Sequence, residues 1–382
     1  MKSAQANPAR QGNLGNPGNP DWWILISVIV LTAIGVIMVF SASQYFATYA
    51  PYNDSYHFLK KHSEAAALGF LGMYIAYKMK YEWYKKLSWV VFIPMILLLI
   101  FMAASTQIES IGGAQRWLQI GGQQFQPSEL SKIALPLVLA KLFCSPGIDV
   151  KSFSKGFLPA IIITGGTAGL ILAQTALSSS MVVAATGFLM MYCAGVRKRF
   201  LTGTLVLGAV VVVAAIIYEP FRVNRIMAYL DPWADPTGSG WQTVQSLLAL
   251  GSGGLSGVGL GSGSSKLFYL PARHTDFIFS VLGEELGFLG CIFVIVVFVL
   301  FIWRGMLVAV KMPDKFGSLL ALGIICAMSI QAFINLGVVS GLLPVTGVTL
   351  PFISYGGTSL AVCLTMAGML LNLSRYVKED AK

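Results

Sequence analysis

Charged side chains are scarce in this chain. Only 11% of its 382 residues are charged and 56% are apolar, with a mean hydropathy of +0.73, whereas a soluble domain carries roughly 25% charged residues. This deficit excludes a disordered chain, a fibre and an ordinary soluble enzyme. Because a bilayer span needs about 20 mostly apolar residues, the chain has room for up to about ten spans and no separate large domain.

Acidic residues and cysteines are also few. The chain has 16 Asp and Glu against 26 Lys and Arg, a net charge of +10. The basic residues lie between apolar segments rather than along one soluble face, so no nucleic-acid partner is predicted. The five cysteines are scattered singly without a C-x-x-C pair. This pattern indicates inert buried thiols rather than disulfides or a metal site.

Ten apolar runs predict an all-α, polytopic integral membrane protein with about ten transmembrane helices. The first run could instead be a signal peptide, because Ser41-Ala42-Ser43 resembles a cleavage site. The run is too long for that, and the polar stretch before it is also long, so a retained helix is favoured. The runs lie near residues 22–43, 63–79, 87–104, 128–143, 157–173, 180–196, 201–218, 275–302, 317–340 and 357–374.

The domain organisation follows from these runs. Residues 1–20, rich in Asn, Gly, Pro and Gln, predict a disordered cytoplasmic tail; residues 21–376 form the membrane domain, and 377–382 a second cytoplasmic tail. With both termini inside, most Lys and Arg fall on inner segments, as the positive-inside rule requires. A long outer loop, 219–274, then joins helices 7 and 8. A connection that long without obvious helices or strands is functional or disordered.

The glycine-rich stretch 251–263 lies within this outer loop. It has no G-x-G-x-x-G register and no preceding strand, so a nucleotide phosphate loop is disfavoured. Glycine there is expected to permit tight turns and close backbone approach. Lys266, just beyond the stretch, could still meet a pyrophosphate by charge alone.

Polar residues interrupt the apolar pattern at the start of the fourth run. Gln126-Pro127-Ser128-Glu129 reads as a helix start, and Glu129 and Lys132 share one helical face at membrane depth. Ionisable residues inside a membrane are costly and usually functional. Two interpretations remain open: a self-neutralising pair that seals the bundle, or a polar cavity in which Arg116 and Lys132 face an anion.

Asp276 lies where the outer loop enters the eighth apolar run. A carboxylate at that depth needs partners or a task, although Thr275 or Asp276 could instead cap the helix. Glu284 and Glu285, deeper in the run, could be functional or could make packing hydrogen bonds. His274 is expected to be a solvated loop residue.

A third break, 344–359, contains two prolines and several glycines, and includes Ser354 and Gly356. Broken backbone at membrane depth is tolerated only within protein or beside a water-filled cavity. The breaks 116–132, 266–285 and 344–359 all fall on the predicted outer side. They are therefore expected to converge on one cavity open to the outside.

From about residue 21 onward the chain resembles the shape, elongation, division and sporulation family of bacterial membrane proteins, which includes FtsW, RodA and SpoVE. The start Asp21-Trp22-Trp23 and Ser41-Ala42-Ser43 are closer to FtsW or SpoVE than to RodA. The motifs that carry the resemblance are Gly113-Ala114-Gln115-Arg116-Trp117, Gln126-Pro127-Ser128-Glu129, Asp231-Pro232-Trp233, His274-Thr275-Asp276-Phe277-Ile278-Phe279 and Leu350-Pro351-Phe352-Ile353-Ser354-Tyr355-Gly356-Gly357.

The resemblance implies a peptidoglycan glycosyltransferase of the cell division machinery, which polymerises lipid II outside the cytoplasmic membrane with Asp276 as the family's essential aspartate. It also implies a class B penicillin-binding protein and other division proteins as partners. A lipid II flippase and a non-catalytic scaffold are the alternatives. The residues expected to bind substrate are Arg116, Lys132, Gln126, Ser128, Glu129, Lys266, Ser354 and Gly356.

Two departures from the family pattern remove acidic groups. Ala176 and Ala272 stand where many members carry Asp and Glu. No metal ligand set can be read from the sequence, and a divalent cation as cofactor is left open.

Overall fold

The computed structural model describes residues 17–49, 51–105, 117–120, 123–264 and 270–377. Within these residues the protein is almost entirely helical. A two-stranded antiparallel hairpin, β1 (Leu118–Ile120) and β2 (Gln123–Phe125), precedes α4, and a π-helical turn, Phe153–Phe157, precedes α5. The helices are α1 (Trp22–Ala47), α2 (His57–Lys78), α3 (Tyr81–Ala104), α4 (Pro127–Phe143), α5 (Leu158–Ala173), α6 (Leu177–Ala194), α7 (Lys198–Tyr218), α8 (Pro220–Leu230), α9 (Trp241–Ser252), α10 (Ile278–Lys311), α11 (Lys315–Val339) and α12 (Gly357–Ser374).

In the part of the chain that the structure describes, ten long helices correspond to the ten apolar runs, which confirms the predicted fold class. Within the described residues, eight of them are long and apolar enough to cross a membrane. The other two are α2, whose first turns carry Lys60, Lys61 and Glu64, and α4, which has 17 residues. At 1.5 Å per residue α4 is about 26 Å long, close to the thickness of a hydrocarbon core. The protein is a multi-pass helical membrane protein.

The centre of the bundle is formed by α4, α11 and α12. Helix α12 packs along α2, and α11 contacts α4, α6 and α10. Small residues allow the closest of these contacts: a Cβ on Gly368 of α12 would lie 2.3 Å from the Met73 carbonyl oxygen. Helix α7 lies at the rim, where Leu201 is its buried residue. The polar residues of α4 and α11 therefore lie inside the protein, away from the rim.

The segment 219–274, predicted to be a long outer loop, contains two helices that the sequence did not predict. Helix α8 follows α7 directly, and α9 packs against α10 and α11. Both are short, at 11 and 12 residues, and α8 is amphipathic. Since a span search looks for long uniform apolar runs, short amphipathic helices escape it. We call the end of the bundle that carries these helices the α8–α9 end. The predicted tails, 1–20 and 377–382, lie largely outside the described residues.

The glycine-rich stretch docks onto a break in α10, as expected for backbone in close approach. Gly287 interrupts the helix with φ 70° and ψ −168°. The N–H groups of Val258 and Gly259 donate to the carbonyl oxygens of Glu284 and Glu285, at 3.0 and 3.1 Å. Two return bonds, of 2.9 and 3.1 Å, run from the next turn of α10 to the stretch. The loop thus satisfies the backbone groups that the break exposes.

The side chains of Glu284 and Glu285 belong to this anchor. The Ser264 N–H donates to a Glu284 carboxylate oxygen at 2.7 Å, and the Ser41 hydroxyl donates to Glu285 at 2.7 Å. Both carboxylates are almost fully buried. Of the two interpretations left open by the sequence, these contacts favour hydrogen bonding that holds the loop and α1 onto α10.

We predict that Gly257→Ala destabilises the protein. Gly257 has φ +81°, and an added Cβ would lie 2.2 Å from the Glu285 carbonyl oxygen. Overpacking costs about 1–3 kcal/mol, and backbone strain adds to it. The thermal unfolding midpoint of the detergent-purified protein should therefore fall.

The control is Gly208→Ala in α7, where an added Cβ would meet nothing within 4 Å. Alanine favours a helix over glycine, so this midpoint should stay constant or rise. Equal midpoints for the two variants would contradict the docking role of the glycine-rich stretch.

Candidate active site

A cavity of about 540 Å³ lies among α4, α6, α8 and α11 at the α8–α9 end. Its wall contains residues from all three polar breaks, so the predicted convergence on one cavity is confirmed. The wall includes Trp117, Gln126, Glu129 and Lys132 from the first break, Thr275 and Asp276 from the second, and Thr346, Gly347, Val348, Thr349 and Tyr355 from the third.

Glu129 and Lys132 form a buried ion pair on the cavity wall. The Lys132 Nζ lies 2.8 Å from both Glu129 carboxylate oxygens and donates to Gln331 Oε1 at 2.6 Å. Gln331 in turn donates to the Thr349 carbonyl oxygen at 2.8 Å. A desolvated pair of this kind needs such extra hydrogen bonds to offset its desolvation. The pair therefore neutralises itself and also lines the cavity. That Arg116 and Lys132 face an anion stays a prediction, since Arg116 lies outside the described residues.

The N-cap position of α10 is Phe277, so Asp276 lies one residue before the cap. A Cβ placed on Gly347 would lie 3.5 Å from Asp276 Oδ2, which puts the carboxylate against the 346–349 segment. Arg225 of α8 lines the same cavity, and the negative charge of Asp276 favours its charged form. A carboxylate and a guanidinium thus face the same space.

The backbone that carries Asp276 is held by three hydrogen bonds from other elements. The carbonyl oxygens of residues 274, 275 and 276 accept from the Tyr355 N–H, the Ser354 hydroxyl and the Asn335 amide, at 2.9, 2.6 and 2.7 Å. The same Asn335 nitrogen donates to the Val348 carbonyl oxygen at 2.6 Å. Because broken backbone inside a membrane must satisfy its polar groups internally, these bonds fix the turn before α10.

The predicted site residues separate into three groups. Gln126, Glu129, Lys132 and Asp276 line the cavity. Ser128 and Ser354 are buried behind its wall, and Gly356 sits at the start of α12; their substrate contacts stay predictions. Arg116 and Lys266 lie outside the described residues.

Sequence reasoning gave no site role to Gln331 or Asn335. Gln331 and Asn335 lie one turn apart in an otherwise apolar run, a signal that could have found them. Ala176, one of the two departures from the family pattern, lies on the cavity wall. Within the described part of the chain, no group of three or more His, Cys, Asp or Glu side chains could hold a metal ion.

His274 is only partly exposed and packs among aromatic rings, so the expectation of a solvated loop residue is wrong. Its ring centroid lies 4.6 Å from that of Phe58 and 5.5 Å from that of Tyr355. Burial among these rings lowers its pKa to about 4, and Arg273 adds to the shift. A neutral histidine therefore packs behind Asp276; the aromatic partners are distant in sequence, which hid this environment.

Known proteins resemble the chain over nearly its whole length. The family model of the FtsW, RodA and SpoVE cell cycle proteins matches residues 21–379. A probable peptidoglycan glycosyltransferase FtsW from Geobacter sp. (strain M18) is 41% identical over 365 residues, covering 94% of this chain and 98% of that protein. The stage V sporulation protein E of Bacillus subtilis (strain 168) is 40% identical over 362 residues, with 94% and 98% covered.

Solved structures share the fold. One, described as "Structural coordination of polymerization and crosslinking by a peptidoglycan synthase complex", contains a chain with TM-score 0.75 and 30% identity, covering 93% of this chain and 98% of that chain. The rod shape determining protein RodA of Thermus thermophilus has TM-score 0.68 and 28% identity, with 94% and 98% covered.

Fold and cavity define a polytopic membrane enzyme. The chain belongs to the FtsW, RodA and SpoVE family. With curated relatives named peptidoglycan glycosyltransferase at about 40% identity over nearly full length, it is an enzyme of that class.

We predict that Asn335→Leu lowers glycosyltransferase activity far more than the loss of thermal stability in this variant would by itself. The substitution removes the donor that holds the Asp276 and Val348 carbonyl oxygens. Misplacing a catalytic group by about 1 Å can cost roughly 100-fold in rate. We expect a loss of that order in turnover by the purified, folded variant, measured as glycan product.

Asn372→Leu is a matched control. The Asn372 amide donates to the Tyr77 and Met79 carbonyl oxygens at 2.6 and 2.8 Å, remote from the cavity, and Asn372 is as buried as Asn335. Both variants should lose similar thermal stability, and Asn372→Leu should retain most activity below its unfolding midpoint. Parallel losses of activity would assign Asn335 to stability only.

Proposed function

We propose that this chain polymerises lipid II into glycan strands on the outer face of the cytoplasmic membrane during cell division, with Asp276 as the catalytic base. The observation that carries the proposal is the Asp276 carboxylate in a cavity that also contains Arg225 and the buried Glu129–Lys132 pair. The names of the FtsW relatives supply the reaction class.

The proposed chemistry needs one carboxylate and a nearby cation. A sugar 4-hydroxyl attacks the anomeric carbon of a second lipid II, and Asp276 accepts the hydroxyl proton. The glycosidic linkage passes from α to β, so a single inverting displacement needs no covalent sugar intermediate. The bond to the anomeric carbon breaks toward the diphosphate, whose growing negative charge is stabilised by cations on the wall.

The two described cations of the site, Lys132 and Arg225, differ in whether a carboxylate neutralises their charge. Glu129 neutralises Lys132, so a bound anion meets this pair mainly as a dipole. Arg225 is exposed and faces the cavity. The proposal includes direct contact of Arg116 and Lys132 with the diphosphate. It also includes a contact from Arg225.

A class B penicillin-binding protein is the proposed partner, among other division proteins. The structural relative from a complex that coordinates polymerization and crosslinking supports a transpeptidase that receives the new strand. We place its membrane helix on the lipid-facing sides of α10 and α11, where Phe288, Phe293 and Phe333 are more than half exposed. This placement depends on the family resemblance.

A flippase is the main alternative. Alternating access needs the polar route to reach both membrane faces. A larger cavity, about 660 Å³, lies at the opposite end of the bundle, but within the described residues the two cavities share no wall residue. This separation favours an enzyme. Polymerisation of lipid II by the detergent-purified protein decides between them, because transport cannot produce a polymer without a membrane.

The proposed orientation, with both termini cytoplasmic, predicts a labelling pattern. Thr237, exposed between α8 and α9, is replaced by cysteine; native Cys144 is exposed beyond the opposite end of α4. An impermeant maleimide should label Thr237→Cys in intact cells and leave Cys144 unlabelled until the cells are permeabilised. The reverse order of labelling would overturn the orientation.

We predict that Asp276→Asn folds and inserts normally yet makes almost no glycan. Asparagine keeps the size of the side chain but cannot accept the proton, and a general base contributes about 10²–10⁴-fold in rate. The measurement is glycan synthesis by the purified variant. Asp54→Asn, which removes a partly exposed carboxylate paired with Lys60 at the same end, is the control. Asp276→Asn activity above a tenth of wild type would remove the base assignment.

A further inference from the structure

Two residues of α8, Phe221 and Arg225, lie on the walls of three cavities at once. The first is the 540 Å³ cavity of Asp276. The second, of about 180 Å³, lies between α6, α7 and α11, and the third, of about 220 Å³, lies between α8 and α9. One helix turn therefore separates three compartments.

The compartments differ in chemistry. The second cavity is lined mainly by apolar side chains, among them Met181, Val212 and Ile216. It reaches α7, the helix whose surface is almost wholly exposed, so it lies next to lipid. An aliphatic chain suits such a wall, because burying apolar surface is favourable in proportion to its area.

The third cavity has a mixed polar and apolar wall with one charge. Besides Phe221 and Arg225 its wall contains Asn224, Ser239 and Gln242, with Ala228 and Val345. Amide and hydroxyl groups of this kind donate and accept hydrogen bonds without preferring a charged ligand. They fit hydroxyl-bearing and amide-bearing groups, such as those of a sugar or a peptide.

Arg225 is suited to bind an anion at the junction. Its guanidinium lies 5.6 Å from the Phe221 ring centroid and makes one long hydrogen bond, of 3.4 Å, to the Val345 carbonyl oxygen. Among the described residues of the 540 Å³ cavity, Lys132 is paired with a carboxylate, whereas Arg225 forms no ion pair. The fork of guanidinium N–H groups matches phosphate oxygens.

We propose that α8 is the binding junction for a polyprenyl-diphosphate-linked saccharide. Arg225 binds the diphosphate, the apolar cavity takes the first isoprene units, and the cavity of Asn224, Ser239 and Gln242 takes hydroxyl or amide groups of the head. This assignment rests on the proposed function, since it names which part of that substrate lies where. Phe221, between the compartments, separates the apolar chain from the polar head.

Binding, measured without turnover, tests the junction. The probes are undecaprenyl diphosphate, undecaprenol and inorganic pyrophosphate, each titrated against the purified full chain. Arg225→Gln should weaken undecaprenyl diphosphate binding about 10- to 100-fold, the range for losing a charge-assisted hydrogen bond, and Arg225→Lys should retain part of the affinity. Lys60→Gln, which removes an exposed cation at the same end, is the control and should change nothing.

A second variant separates the lipid contribution from the phosphate contribution. Ile216→Trp fills the apolar cavity and should weaken undecaprenyl diphosphate and undecaprenol binding while leaving pyrophosphate binding unchanged. Unchanged affinity in Arg225→Gln and Ile216→Trp, in protein that polymerises lipid II, would overturn the junction and leave the proposed function standing. Arg225-dependent binding without polymerisation would overturn the function and leave the junction standing.

Discussion

The candidate site depends on one helix face, the turn of α11 that carries Gln331 and Asn335. Gln331 accepts from Lys132 and donates to Thr349, while Asn335 donates to the carbonyl oxygens of Asp276 and Val348. Two amides one turn apart thus connect the buried ion pair, the turn before α10 and the segment before α12. Unpaired polar groups at this depth would cost several kcal/mol each. Because the two amides of α11 provide hydrogen-bond partners to all three breaks, the breaks are held in one arrangement.

The same need to pair polar groups inside the membrane explains the contacts on the opposite side of α10. Its break at Gly287 exposes backbone groups in the membrane, and the glycine-rich stretch supplies partners for them. The approach is so close that a Cβ at Gly253 would lie 2.0 Å from the Gly283 carbonyl oxygen. Side-chain contacts from Ser41 and Ser264 then satisfy Glu285 and Glu284. Polar residues deep in α10 therefore serve the packing of a loop, while Asp276, at the helix start, faces a cavity.

What the sequence could predict depends on whether each feature is set by neighbouring residues or by residues distant in the sequence. The ten long helices and the meeting of the three breaks were predicted, because length of apolar sequence and the cost of broken backbone are local properties. The hairpin, α8 and α9 were not, since short amphipathic pieces leave no long run. The packing of His274 against Phe58 and Tyr355 needs contacts more than 80 residues apart in sequence. Asp276 was found from sequence, whereas Gln331 and Asn335, which hold the surrounding segments, received a role only from the structure.

The charge balance of the cavity gives the cations different tasks. Glu129 and Lys132 are about 4% exposed and hydrogen-bonded to α11, so the pair adds order to the wall and little net charge. The proposed leaving diphosphate would need a cation whose charge is not already neutralised and that can be approached from the membrane side. Arg225 meets both conditions because α8 is short, exposed and next to the lipid-facing α7. Buried helices thus hold the turn of Asp276 and the ion pair in place, while the helix that escaped the sequence search carries Arg225, the cation proposed to bind the anion.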